Sequence, residues 1–382
     1  MIILERPYVS DELKDYLAET GLPVLKNDTA IECGAGYPLN LVDECDFRET
    51  LNKGGKLYTV SENALEWVYD NVADRDMVRG IRIMKNKADF RRVIKTLYPD
   101  FFFEEVSADA LKDIAVDALK MPFVLKPAVG FFSVGVYTVF DESDWKAALK
   151  DIDARMEGWK DDYPDSVVGN ATFILEEYVR GDEYAIDAYF DDAGRAIVLN
   201  IMKHDFTSAD DVRDRLYYTG KTIIETWLRP FTDFLNTVNG LIGVRNFPLH
   251  VEVRVDGGRI VPIEFNPMRF AGWCTTDLVD FAFGVKTYDY FLNGRVPDWG
   301  ALLDGKDGRI YSFVILDKPK TNEPIRYFDY EALRSRFGNV LHLRRMDHAR
   351  MPVFGFLFVE TDESDRRELD AIMASDLTEF IC

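Results

Sequence analysis

Basic residues are scarce in this chain relative to acidic ones. Lys and Arg number 46 against 67 Asp and Glu, and the formal net charge is −21. Nucleic acids and anionic membranes are bound through clustered cations, so this balance argues against both as partners. No apolar run approaches the length of a membrane span. The opening MIILERPYVSDELKDYL lacks the basic start, long apolar stretch and small-residue cleavage site of a signal peptide. Cys33, Cys45, Cys274 and Cys382 are scattered without C-x-x-C spacing, which fits reduced thiols in a cytoplasmic protein and marks none as a nucleophile. There is no Ser–His or Cys–His arrangement, no internal repeat, and no G-x-G-x-x-G of the dinucleotide-binding kind.

What is present is ample apolar material. Of 382 residues, 47% are apolar and 30% charged, enough for two or three domains or subdomains. Residues 1–85 read as an α/β unit. Met1 to Leu4 is a short strand, Ser10 caps the helix DELKDYLAET, and Gly21 ends it. LPVLK is a second strand, and KLYTV leads into the capped helix SENALEWVYDNV. Such alternation predicts parallel strands with crossover helices. Beyond it, NKADFRRVIKTL has helical spacing, MPFVLKP and VYTVF form a hairpin, and DESDWKAALKDI is a capped helix. The strands ATFILEEYV, EYAIDAYF and AIVLNIMK follow, then the helices TDFLNTVNGLIG and TTDLVDFAFGVKTYDYFLNG. The tail carries the strands RIYSFVILD and VFGFLFVET. It completes a sheet, covers the core, or forms a dimer interface.

The most informative segment is HVEVRVDGGRIVPIEFN, from His250 to Asn266. Two alternating strands flank Asp256-Gly257-Gly258, and alternation places residues two apart on one face. His250, Glu252 and Arg254 therefore share a face, as do Glu264 and Asn266. A three-residue loop would set Glu252 against Pro262 and Glu264 against His250, with both acids pointing the same way. A two-residue Gly-Gly loop would separate them. The first is favoured, because two acids and an amide on one face make a hard-oxygen site for Mg²⁺. The alternative is an ordinary hairpin with a charged outer face.

Lys126 ends an apolar strand, and the loop after it holds Gly130, Ser133 and Gly135. Small residues let backbone N–H groups lie over phosphates while a lysine at the root supplies a fixed charge. A plain hairpin loop with a surface lysine is the other reading. Glu176, Glu177 and Val179 lie at the end of a buried strand, where exposed backbone could pair with an adenine edge. Glu183 could accept from ribose hydroxyls. Solvated glutamates on an edge strand would look the same.

Taken in order, Asn86-Lys87, PFVLKP with its small-residue loop, LEEYVRGDEY and HVEVRV-turn-IVPIEFNP resemble the ATP-grasp superfamily across residues 86–293. The resemblance implies ATP held between two α+β subdomains behind a Rossmann-like N-terminal domain. The implied division is 1–85 Rossmann-like, 86–170 subdomain A with the phosphate loop, 171–295 subdomain B with the metal site, and 296–382 a small α+β region. It also implies that Lys87 and Lys126 meet the α and β phosphates and that the loop from Val129 to Gly135 closes over them. Glu176 with the backbone of Glu177 and Val179 would hold adenine, and Glu183 the ribose. Glu252, Glu264 and Asn266 would hold one or two Mg²⁺ (or Mn²⁺). His250, facing the same site, is either part of it or a satisfied structural histidine.

One departure stands out. Many members read E-x-N-x-R, but here Met268 takes that place and Arg269 comes one later. Either Arg269 is re-aimed into the site or another cation serves, Arg254 being a candidate. The implied chemistry is ligation of a carboxylate to an amine, with ADP and phosphate released. The substrates would be small molecules such as amino acids. An ATP-grasp kinase, or an ATP-binding protein without chemistry, would use the same residues. The substrate pocket is expected near the Met268 to Thr276 loop and a mobile segment HDFTSADDVRDRLYYTGK. Trp273, Phe270 and Tyr217 are either its lining or core.

Overall fold

The structure is a computed structural model that describes residues 1–129, 135–159, 172–205, 215–321 and 324–382. It divides into two units. The first comprises Met1–Asp74, Asp182–Thr237 and Val244–Cys382, and the second Arg75–Gly181 with Val238–Gly243. The 206–214 part of the expected mobile segment and the loop residues Gly130 and Ser133 lie outside the described residues.

The first unit begins with strands β1 (Ile2–Ile3), β2 (Val24–Leu25), β3 (Leu41–Val42) and β4 (Tyr58–Thr59), arranged β3-β2-β1-β4. Their pairings are parallel, as the strand–helix alternation predicts. Ser10 accepts a hydrogen bond from the backbone of Leu13, and Gly21 ends the helix at φ 61°. Capping and a left-handed stop thus fix Asp11–Thr20 as read from sequence. Leu13 and Leu17 are buried in one cluster with Ile2, Tyr58, Tyr189, Phe270 and Phe291. This small sheet therefore shares its core with residues far along the chain.

The second unit contains β5 (Phe103–Ser107), β6 (Phe123–Pro127), β7 (Tyr137–Val139) and β8 (Thr172–Glu177), arranged β5-β8-β6-β7. β6 and β7 pair antiparallel as the expected hairpin. Trp145, Ala148 and Ile152 of the helix Glu142–Trp159 pack with Phe123, Leu125, Phe173 and Leu175.

After Gly181 the chain returns to the first unit and builds its large sheet. The strands are β9 (Asp182–Phe190), β10 (Ala196–Asp205), β11 (Leu216–Gly220), β12 (Phe247–Asp256), β13 (Arg259–Pro267), β14 (Arg309–Asp317), β15 (Val340–Arg345) and β16 (Val353–Asp362). They lie in the order β13-β12-β9-β10-β11-β14-β16-β15. Residues 296–382 are thus not a separate piece: β14, β16 and β15 extend the sheet that holds the acidic hairpin. β11 also occupies part of the stretch expected to be a mobile loop, and the helix after it begins at Lys221, well before Thr232. The single helix expected at Thr275–Asn293 is interrupted, with Gly284 at φ 75° between Leu278–Phe283 and Thr287–Asn293.

Candidate functional site

The hairpin turns on two residues. Asp256 pairs with Arg259, and Gly257 and Gly258 take φ of 56° and 86°, the backbone a tight two-residue turn demands. The three-residue loop expected from sequence is therefore wrong, and so is the opposition of Glu252 to Pro262. Yet the acids still converge, because the register slips once between Glu252 and Val253. Val253 pairs with Pro262 and Glu252 with Glu264, so Ile263 is the extra residue of a β-bulge. Pro262 has no N–H to give the ladder, which makes this a natural place for the irregularity. Beyond the bulge His250 lies opposite Asn266. His250, Glu252, Glu264 and Asn266 share one face.

On that face β9 supplies partners that sequence reading missed. His250 Nδ1 lies 2.8 Å from Asp187 Oδ1, and its Nε2 lies 3.6 Å from Glu252 Oε1. Burial alone would lower the histidine, but the carboxylates of Asp187 and Glu252 outweigh it and push it up to about 9. Burial and the facing charge of Glu264 push the Glu252 carboxyl up, against the pull of His250. Two glutamates directly opposite each other, with Asn266 two residues on along the same face, form a donor set that suits a hard divalent cation. Among the described residues no group of three or more His, Cys, Asp or Glu is arranged for a metal. The set here is two glutamates and an amide.

Further along the face, Arg254 Nε donates to Glu183 Oε2 at 3.0 Å, and His204 Nδ1 lies 3.0 Å from Glu183 Oε1. Glu183 is thus engaged by protein on both oxygens, which leaves Arg254 held along β9 rather than reaching from the hairpin. Tyr217 stacks on His204 with ring centroids 4.2 Å apart.

Arg269 follows Met268, which has a left-handed φ of 67° and is fully buried. The Arg269 guanidinium donates to Glu62 Oε1 at 2.9 Å and to the Phe270 carbonyl at 3.0 Å. Its charge is therefore met by an N-terminal acid. Trp273 and Cys274 are also left-handed, so three non-glycine residues in one loop hold backbone strain. Surrounding groups hold the loop in place. The Met268 carbonyl accepts from Thr59 N at 2.9 Å, Ala271 N donates to Asp187 Oδ1 at 2.8 Å, and the Cys274 carbonyl accepts from Arg344 at 2.9 Å. Arg344 is buried and also bonds Glu12 and Asp277, at 2.8 and 2.5 Å. Of the three aromatics expected as pocket lining or core, Phe270 is core, Trp273 packs edge-on to Phe356, and Tyr217 stacks on His204.

In the second unit Lys126 is buried at 3% exposure, and its ammonium pairs with Glu176 Oε1. Arg91 Nε donates to Glu176 Oε2 at 2.8 Å while its guanidinium lies 4.3 Å from the Phe101 ring centroid. Burial alone would raise the Glu176 carboxyl, but Arg91 and Lys126 outweigh it and hold it down at about 2. Burial pulls Lys126 down, Glu176 opposes this, and the nearby charges of Arg91 and Lys87 add to the fall. Both Glu176 oxygens are thus engaged, one by Arg91 and one by Lys126. Asn86 caps the helix Lys87–Val93, and the Lys87 N–H donates to the Ala128 carbonyl at 2.7 Å. That bond ties the start of the helix to the strand end after Lys126. Glu177 N donates to the Phe102 carbonyl at 3.0 Å, and Val179 follows just past the strand. Gly135 sits near the Tyr137 ring.

Among the described residues no helix is long and apolar enough to cross a membrane. A family model described as an ATP-grasp domain matches residues 119–277. Compared with curated proteins by sequence, nothing matches. Solved structures do. An L-amino acid ligase from Bacillus licheniformis is similar at 16% identity and a TM-score of 0.71, covering 100% of this chain and 97% of that one. An N5-carboxyaminoimidazole ribonucleotide synthetase from Thermotoga maritima is similar at 16% identity and a TM-score of 0.64, covering 98% of each. A phosphoribosylglycinamide synthetase from Anaerococcus prevotii follows at 12% identity and 0.60, covering 100% of this chain and 98% of that one. Residues 119–277 thus match an ATP-grasp domain, and the fold of the whole chain is similar to that of these solved structures.

Proposed function

We propose that this protein is an ATP-dependent ligase that activates a carboxylate as an acylphosphate and joins it to an amine, releasing ADP and phosphate. The observation that carries this reading is the opposition of Glu252 and Glu264, with Asn266 beside them on the same sheet face. A carboxylate attacking a nucleotide meets like-charge repulsion, so the barrier falls through positioning and neutralisation rather than through a protein nucleophile. Glu252, Glu264 and Asn266 would hold Mg²⁺ or Mn²⁺, which when bound neutralises phosphate oxygens.

The chain's own residues supply the rest. Lys126, oriented by Glu176, and Lys87, at the head of a capped helix, are the cations for the nucleotide phosphates. With the Glu177 N–H already given to Phe102, the Glu177 carbonyl and the backbone of Val179 are assigned to the adenine edge. Arg254 and Arg269 remain the candidate cations flanking the acid pair in sequence, each paired with a glutamate. An amino acid as one substrate is favoured by the likeness to the L-amino acid ligase from Bacillus licheniformis.

The test is ATP turnover with Mg²⁺ against a panel of amino acids and small carboxylates, following ADP and free phosphate separately. A joint rise only when a particular carboxylate and amine are both present supports the ligase. ADP without phosphate would make the protein a kinase. Mg-ATP binding with no turnover across the panel would make it a nucleotide-binding protein.

A further inference from the structure

Asp187 takes no part in the chemistry proposed above, yet it is fully enclosed in the same sheet face. It sits in mid-sheet on β9, opposite His250 on β12 and Asn200 on β10. Its Oδ1 accepts from two directions, from His250 Nδ1 at 2.8 Å and from the backbone N–H of Ala271 at 2.8 Å. Its Oδ2 and both side-chain polar atoms of the equally buried Asn200 have no hydrogen-bond partner among the described residues. Burying polar atoms on these terms is unfavourable for stability. What the arrangement does achieve is orientation.

We infer that Asp187 is a positioning residue that holds Glu252 and the loop after Asn266 in their working places. Accepting the Nδ1 proton fixes the imidazole plane, so that Nε2 is directed at Glu252, 3.6 Å away. This is the support that a carboxylate–histidine pair gives to a group reaching for a metal. Accepting from Ala271 pins the strained loop between Met268 and Cys274 to the same carboxylate. One side chain thus links the acid pair to the segment that follows it. The inference rests on reading Glu252, Glu264 and Asn266 as a divalent-cation site.

The experiment uses the full chain, with Mn²⁺ as the probe in the presence of ADP. Binding is followed by loss of the free-ion electron paramagnetic resonance signal, at a temperature below the melting transition of every variant. Wild type should bind, and Glu264→Gln should not. Asp187→Asn, which keeps shape but removes the charge, should weaken Mn²⁺ about tenfold. Asp187→Ala should in addition raise amide hydrogen exchange in the peptide containing Ala271. A purely structural role would lower the saturating endpoint with the folded fraction and leave the dissociation constant unchanged. An Asp187→Asn protein with wild-type Mn²⁺ affinity, alongside a Glu264→Gln protein that has lost it, overturns the inference. If wild type itself fails to take up Mn²⁺ with ADP, the cation site is wrong, and that is a separate failure.

Discussion

Glu252 and Glu264 face each other across neighbouring strands because a single extra residue, Ile263, corrects the register that a two-residue turn would have spoiled. The bulge is a device for aiming a side chain. Without it Glu264 and Asn266 would point away from Glu252 and His250. The acid pair is therefore built at some expense to a regular ladder, as expected where placement matters more than pairing.

Glu264→Gln should abolish ADP formation while leaving the fold intact, because it removes one of two repelling carboxylates and keeps the shape. Thermal melting should stay at or slightly above the wild-type value, and turnover should fall to background. Near-normal turnover in this variant would sink the metal assignment.

The turn itself can be tested without touching the acids. A Cβ at Gly257 or Gly258 meets open space, so only the left-handed backbone opposes alanine there. Gly258→Ala should cost about 1–2 kcal/mol, the usual penalty for an L-residue in that region, read by denaturant unfolding. A neutral outcome would mean that the turn has a different geometry.

The buried Glu176 makes stability depend on acid pH. Its folded value of about 2 lies below its ordinary 4.5, so its contribution is complete above pH 4.5 and is lost as pH falls towards 2. On linkage this amounts to roughly 3 kcal/mol over that window. Unfolding of wild type and Glu176→Gln should be compared at neutral pH and at pH 3. The wild-type protein should lose more stability over that interval than the variant. Equal losses would show that the Arg91–Glu176–Lys126 cluster is not the source.

Arg344 reaches from β15 to Glu12, Asp277 and the Cys274 carbonyl. Removing one partner of a buried ion pair leaves charge uncompensated, at about 3–5 kcal/mol. Arg344→Met should show such a loss by denaturant unfolding, and Arg344→Met combined with Asp277→Asn should recover part of it. Strict additivity of the two substitutions would show that they do not interact.

Local signals were legible in the sequence where local physics decides the outcome. Ser10 and Gly21 delimit a helix through hydrogen bonds and a left-handed stop within a few residues of each other. The helical spacing from Asn86 appears as the helix Lys87–Val93 capped by Asn86, and the β6–β7 hairpin pairs as expected. The face shared by His250 and Glu252 follows from strand periodicity alone. The turn length did not follow, since two glycines after an aspartate satisfy either loop, and the bulge leaves no periodic mark.

The sequence by itself determined the alternation of elements, the two carboxylates of the hairpin, and the lysine at the end of a buried strand. Tertiary structure alone decided what each of these groups touches. Asp187 lies 63 positions from His250, and Arg91 lies 85 from Glu176, separations at which no local pattern constrains a pairing. The tail likewise joined the hairpin's sheet because strands must bury their edges and apolar faces against something, and sheet order is settled by that global packing rather than by order along the chain.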